Sequence, residues 1–209
     1  MRIYHFLDSH YGLENISHKR LKISRIIDLN DPFELLGVDL HDQEMRSALN
    51  RTKEQLASNR GLICFSATWR NPVQWGHYAD KHKGLCLGFD IPDDLLMKVT
   101  YTQKRLKLPS NIDENFMKKI LSTKFTHWRY EKEYRVFLSL SNNIGGLYFK
   151  EFSNDLKLKQ VIVGCESCVS RSQISEALSD YEYEVEVFKA RPAFRSFKIV
   201  RQKKEVLWA

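Results

Sequence analysis

The chain has 209 residues, with 33 Lys plus Arg against 26 Asp plus Glu and a formal net charge of +7. Its 43% hydrophobic content is enough to build a core and excludes a disordered chain, while only 5 Pro and 9 Gly exclude collagen-like, mucin-like and linker-rich classes. No stretch approaches the roughly 20 apolar residues of a membrane-spanning helix, and the opening MRIYHFLD lacks a small-residue cleavage site, so a cytoplasmic protein with reduced cysteines is expected. In chain order, residues 2–8 read as a strand, 11–17 as a helix and 20–24 (RLKIS) as a second strand by alternation. Asn30-Asp31-Pro32 is a turn, because the residue before Pro is pushed out of the helical region. Residues 41–60 carry Met45, Leu49 and Leu56 at helical spacing. Strands are expected at 61–68 and 84–90, with a short helix over 71–83 between them and a third strand at 99–101. A helix over 111–124 precedes a strand over 133–139, and a turn at 142–146 predicts a hairpin with 147–152. The chain ends on a strand at 159–164, a helix at 172–179 and strands at 184–190 and 196–200 joined by a turn at Arg191-Pro192. No repeat or boundary interrupts residues 1–209, which read as a single α+β domain with helices mainly in the first two-thirds and antiparallel strands late.

Charge is uneven along the chain. Residues 28–44 hold six acids and no Lys or Arg, residues 98–135 hold ten basic residues against four acids, and residues 188–204 hold seven basic residues and no acid. Such clustering suits either a polyanion or an ordinary solvated face. The aromatic residues sit mostly in apolar runs, so stacking on single strands gains little support from the sequence.

Several familiar chemistries have no motif here. GxGxxG, GxxxxGK[ST], GxSxG and HExxH are all absent, which argues against Rossmann, P-loop, α/β-hydrolase and zincin sites. Cys165 and Cys168 form one CxxC, but Cys64 and Cys86 are not spaced as its second half, so no zinc site is expected. His77 and His82 would lie roughly 140° apart on a helix and cannot make a facial metal pair.

Polar residues stand beside aromatics in a series of blocks: Tyr4-His5-Phe6, Asn30-Asp31-Pro32-Phe33-Glu34, Cys64-Phe65-Ser66, Trp75 with Tyr78, Gly84 to Asp90 (GLCLGFD), and Trp128 to Arg135 (WRYEKEYR). In this order, across residues 4 to 135, they resemble the bacterial family known as domain of unknown function 2971, and KQVIVG in the tail is similar to that family as well. More remotely, the order of elements resembles the ADP-ribosyltransferase fold, in its toxin and nucleic-acid-modifying branches. That resemblance implies an antiparallel split β-sheet core and NAD bound, as substrate, without a Rossmann fingerprint. It implies a mono-ADP-ribosyltransferase, a toxin or anti-phage defence effector, with a nucleic acid (RNA or DNA) or protein acceptor, an antitoxin as a possible partner, and no membrane partner.

His5, Tyr78 and Glu133 match the pattern one by one. Glu133 would stabilise the oxocarbenium-like transition state formed when the nicotinamide–ribose bond breaks, and Glu131 would activate the acceptor. The two carboxylates share a face if the strand starts before Glu133; both equally suit solvated charges paired with Lys132 or Arg135. His5 would bind the adenosine-side ribose or serve as a half-buried core histidine. Tyr78 would stack on the nicotinamide or join Trp75 in a core-facing stripe. Arg25 is a candidate diphosphate ligand or a surface arginine. Ser66 is a candidate for the nicotinamide amide or a plain strand serine. Arg135, two residues after Glu133, would orient that carboxylate or meet phosphate. Asn30 and Asp31 are turn builders first. Two alternatives stand beside the transferase: a metal-dependent nuclease using Asp31, Glu34, Glu131 and Glu133 with Lys124 or Lys132, and a non-catalytic RNA- or DNA-binding module.

Overall fold

The structure is a computed structural model that describes residues 1–34, 36–109, 113–141 and 143–208. Its strands and helices are, in chain order, β1 (Arg2–Leu7), α1 (Ser9–Ser17), β2 (Arg20–Arg25), α2 (Gln43–Asn59), β3 (Arg60–Ser66), α3 (Pro72–Tyr78), β4 (Leu85–Asp90), β5 (Met97–Lys98), β6 (Thr100–Thr102), α4 (Glu114–Leu121), β7 (Thr123–Phe125), β8 (Glu133–Ser139), β9 (Tyr148–Glu151), β10 (Lys157–Val163), α5 (Arg171–Ala177), β11 (Glu186–Pro192) and β12 (Ile199–Arg201). This is an α+β fold with mostly antiparallel strands. The chain gathers into two compact units, each built from separate segments. The first comprises Met1–Leu21, Phe65–Asp93 and Lys150–Ala209; the second comprises Lys22–Cys64 and Asp94–Phe149.

In the first unit the strand order is β12-β11-β10-β4-β1. β4 is central and nearly every residue in it is buried, which explains its continuous apolar run GLCLGF. It pairs antiparallel with β1, Tyr4 opposite Gly88, and with β10, Ile162 opposite Cys86. Trp69, Trp75, Ala79, Cys86, Ile162 and Phe188 form the core, with Phe6 edge-on to Trp75 at 5.3 Å. α1 starts on Asp8, whose carboxylate accepts the Tyr11 N–H at 2.9 Å. Asp80, Lys81 and His82, just after α3, all take the left-handed conformation, with φ of 42°, 52° and 72°. They lead into Gly84, where a Cβ would lie 2.0 Å from the Leu7 carbonyl, so only glycine fits.

In the second unit β8 lies between β3 and β5, and β2 pairs antiparallel with β3, Ser24 opposite Leu62. β6 and β7 form a separate parallel pair. Ile26, Val38, Leu49, Ala57, Leu62 and Ile120 make this unit's core. α2 and α4 are capped by Asp42 and Asp113, which accept the N–H groups of Met45 and Phe116.

Three local expectations are corrected. β8 pairs with β3 and β5, and β9 takes β2 as its neighbour, so 133–139 and 147–152 are not a hairpin. β10 and β11 are parallel, connected through α5, rather than antiparallel. Pro192 closes β11 opposite Ile199, and the turn follows it over residues 193–198. Asn111 and Ile112 of the expected helix, and Asn142 of the expected turn, lie outside the described residues.

Candidate functional site

The second unit contains a buried cluster of charges. β8 starts at Glu133, so its alternation sends Glu133 and Arg135 to one face, where Arg135 Nε donates to Glu133 Oε1 at 2.7 Å. Both side chains are almost fully buried, and so is Glu34. The Asp-Pro-Phe-Glu turn carries Glu34 inward. Asp31 Oδ1 accepts the Phe33 N–H at 2.9 Å, and the Glu34 N–H donates to the Asp31 carbonyl at 2.9 Å. Arg135 then grips Glu34 with both terminal nitrogens, at 2.5 and 3.0 Å. With the Leu121 carbonyl at 2.8 Å and Glu133 Oε2 at 3.2 Å, every guanidinium N–H has an acceptor.

Glu131 meets the same cluster by another route. It ends a 3-10 helix (Thr126–Glu131), and Lys132, left-handed at φ 47°, turns the chain into β8. The expected shared strand face therefore does not exist. Lys124 joins the two carboxylates instead, its Nζ 2.7 Å from Glu131 and 3.1 Å from Glu133. The same ammonium lies 4.8 Å from the centre of the Trp128 ring. Tyr101 Oη accepts the Glu133 N–H at 2.8 Å, and the Cys64 thiol hydrogen-bonds the Glu133 carboxylate.

These contacts set the ionisation. Burial alone would raise the Glu133 carboxyl, but Arg135 and then Lys124 outweigh it and hold it at about 2. Burial would lower Lys124, yet Glu133 and Glu131 raise it above the usual lysine value. Burial, reinforced by the Glu133 charge, keeps the Cys64 thiol protonated, and burial pushes Tyr101 up to about 12. With Cys64 and Tyr101 neutral, the cluster sets three carboxyl groups against two cations.

A pocket of about 260 Å³ adjoins it, lined by Phe33, Leu36, Phe125, Thr102 and Thr123, with the exposed Lys104 and Arg105 and the largely buried Lys124. Lys124 thus belongs to both pocket and cluster. Among the described residues, no group of three or more His, Cys, Asp or Glu side chains is placed to hold a metal ion. Three of the four acids considered for a nuclease instead face cations, Glu34 and Glu133 meeting Arg135 and Glu131 meeting Lys124, while Asp31 accepts the Phe33 N–H.

The other expected site residues are distributed as follows. Arg25, in the second unit, makes a two-pronged contact with Asp28 at 2.9 and 3.1 Å, with both side chains substantially exposed. In the first unit, the half-buried His5 ring lies 5.6 Å from the Phe65 ring. Ser66 is buried, and its hydroxyl has two acceptors within reach, Thr68 O at 3.0 Å and Gln74 Oε1 at 3.2 Å. Tyr78 stands edge-on to His77 at 6.0 Å, while Trp75 is fully buried and its indole N–H donates to Trp69 O at 2.6 Å. The place of Tyr101 and Cys64 beside Glu133 was not readable from spacing. Glu34 was a candidate only as a metal ligand, and its tie to Arg135 spans 101 positions.

Among known proteins, no family model, no curated protein and no solved structure matches the chain. Among the described residues no helix is long and apolar enough to cross a membrane.

Proposed function

We propose that the chain is an NAD-dependent mono-ADP-ribosyltransferase, the activity of the fold that its order of elements remotely resembles, with Glu133 as the charge-stabilising carboxylate and Glu131 as the base. The observation that carries the reading is the junction at Lys124. An apolar-walled pocket with Lys104 and Arg105 exposed along it meets a buried group in which carboxylates outnumber cations. Positive charge at the lining suits a diphosphate, and buried negative charge beside it suits the cationic nicotinamide ribosyl unit. In the reaction the nicotinamide–ribose C–N bond breaks and its electron pair leaves with neutral nicotinamide. Glu133, ionised under all ordinary conditions, stabilises the oxocarbenium-like centre. The acceptor attacks C1′ with a lone pair and gives its proton to Glu131. Arg135, with every donor engaged, positions Glu133 and is not assigned to phosphate. Arg25, in the same unit as Glu133, keeps the diphosphate role that the resemblance implies, tested by its own alanine variant.

The test is release of nicotinamide from NAD and transfer of labelled ADP-ribose to added nucleic acid or protein. Glu133→Gln should lower the rate at least about a hundredfold with a preserved circular dichroism spectrum. Phe125→Ala, which leaves the carboxylates untouched, should raise KM for NAD more than it lowers kcat. Absence of nicotinamide release by the native chain, or an unchanged rate in Glu133→Gln, overturns the proposal.

A further inference from the structure

The hairpin of β11 and β12 ends in an unusual tip. Its loop is closed by the Ala193 N–H donating to the Lys198 carbonyl at 2.9 Å. Within it Phe194 and Phe197 are 89% and 99% exposed, the two most exposed large apolar side chains among the described residues. A core contact explains neither ring. Basic residues alternate with them: Arg191 before Phe194, Arg195 between the rings, and Lys198 after Phe197. Arg195 and Lys198 are exposed, as are Lys203 and Lys204 past β12. Arg70 reaches the same end of the hairpin, its carbonyl accepting the Ile199 N–H at 2.9 Å. No acid occurs from residue 188 to residue 204.

We propose that this hairpin tip binds single-stranded nucleic acid, with bases stacking on Phe194 and Phe197 and the phosphate backbone running over Arg195, Lys198 and Arg191. Exposed π-faces set among cations are what a flexible strand of stacked bases and regularly spaced phosphates requires. The Arg191 guanidinium lies 4.3 Å from the centre of the Phe194 ring, covering one face and leaving the other for a base. That same contact disfavours an anionic lipid surface as the occupant. Inserting Phe194 among acyl chains would carry a bound guanidinium with it or break the pair. A duplex is disfavoured too, since its bases are already stacked on one another. The inference stands apart from the transferase reading, because it uses none of the glutamate cluster.

The experiment uses the full chain and a fluorescein-labelled 20-nucleotide oligothymidylate, with anisotropy read from low to moderate salt. Affinity should fall linearly on a log–log salt plot. Phe194→Ala/Phe197→Ala should weaken binding by about tenfold to a hundredfold with an unchanged salt slope, and Arg195→Ala/Lys198→Ala should flatten the slope by about 1.4. Both sites are exposed, so melting temperature should stay constant in each variant. Failure of the native chain to bind, equal affinity for the matching duplex, or equal affinity of the phenylalanine double variant overturns the proposal. So does Phe194-dependent sedimentation with phosphatidylserine vesicles unaccompanied by oligonucleotide binding.

Discussion

At the scale of single residues, Arg135 shows how identity rather than charge decides a buried site. Its planar fork serves two carboxylates and a carbonyl at once, with a side chain 1% exposed. A lysine offers three donors from one point on a flexible stem and cannot reproduce that geometry. Arg135→Lys therefore leaves part of Glu34 or Glu133 buried without a partner, a loss of about 3 kcal/mol. The measurement is the urea midpoint at neutral pH, and a loss below about 1 kcal/mol would show that the cluster rearranges around lysine. Arg25→Lys is the matched control. It also breaks a two-pronged arginine–aspartate contact, but an exposed one, and it should leave the midpoint where it is.

At the scale of elements, α2 is the helix least supported by packing. Only Leu49 and Ala57 among its 17 residues are buried, so the cap matters more than usual. Asp42→Ala removes the acceptor for the Met45 N–H and should cost about 1 kcal/mol. The readout is hydrogen exchange of the first-turn amides, about fivefold faster in the variant, and unchanged exchange would mean that solvent or a neighbour substitutes for the cap. Such local features were legible in the sequence. The turn at Asp31 and the bounds of β8 follow from residue type and period. Pairing was not. Whether β8 finds β9 or β3 depends on competition among distant strands, and the turn residues after Ser139 could not decide it. The site divides the same way. Glu133 and Arg135 are two apart on a strand and could be read as facing together. Glu131 reaches Glu133 only through Lys124 and a left-handed Lys132, which no alternation rule encodes.

At the scale of the whole molecule, the excess of positive charge at the surface coexists with a buried group richer in carboxylates, and the two respond to pH differently. Exposed pairs such as Arg25–Asp28 titrate in contact with solvent and contribute little. Glu133 is held at about 2, against roughly 4.3 in an unfolded chain. A carboxyl lowered on folding stabilises the native state fully above the unfolded value and loses that contribution as pH falls toward the folded one. The contribution is on the order of 3 kcal/mol, present above about pH 4.5 and mostly gone near pH 2. Urea midpoints of the native chain should thus decline steeply between pH 4.5 and 2.5. Glu133→Gln, less stable at neutral pH because Arg135 and Lys124 lose part of their neutralisation, should show a visibly shallower decline over the same window. Parallel declines in the two proteins would mean that other carboxyls govern acid unfolding. In that case Glu133 would titrate in the native chain near its unfolded value, and the grip of Arg135 and Lys124 on its carboxylate would be no stronger than that of water.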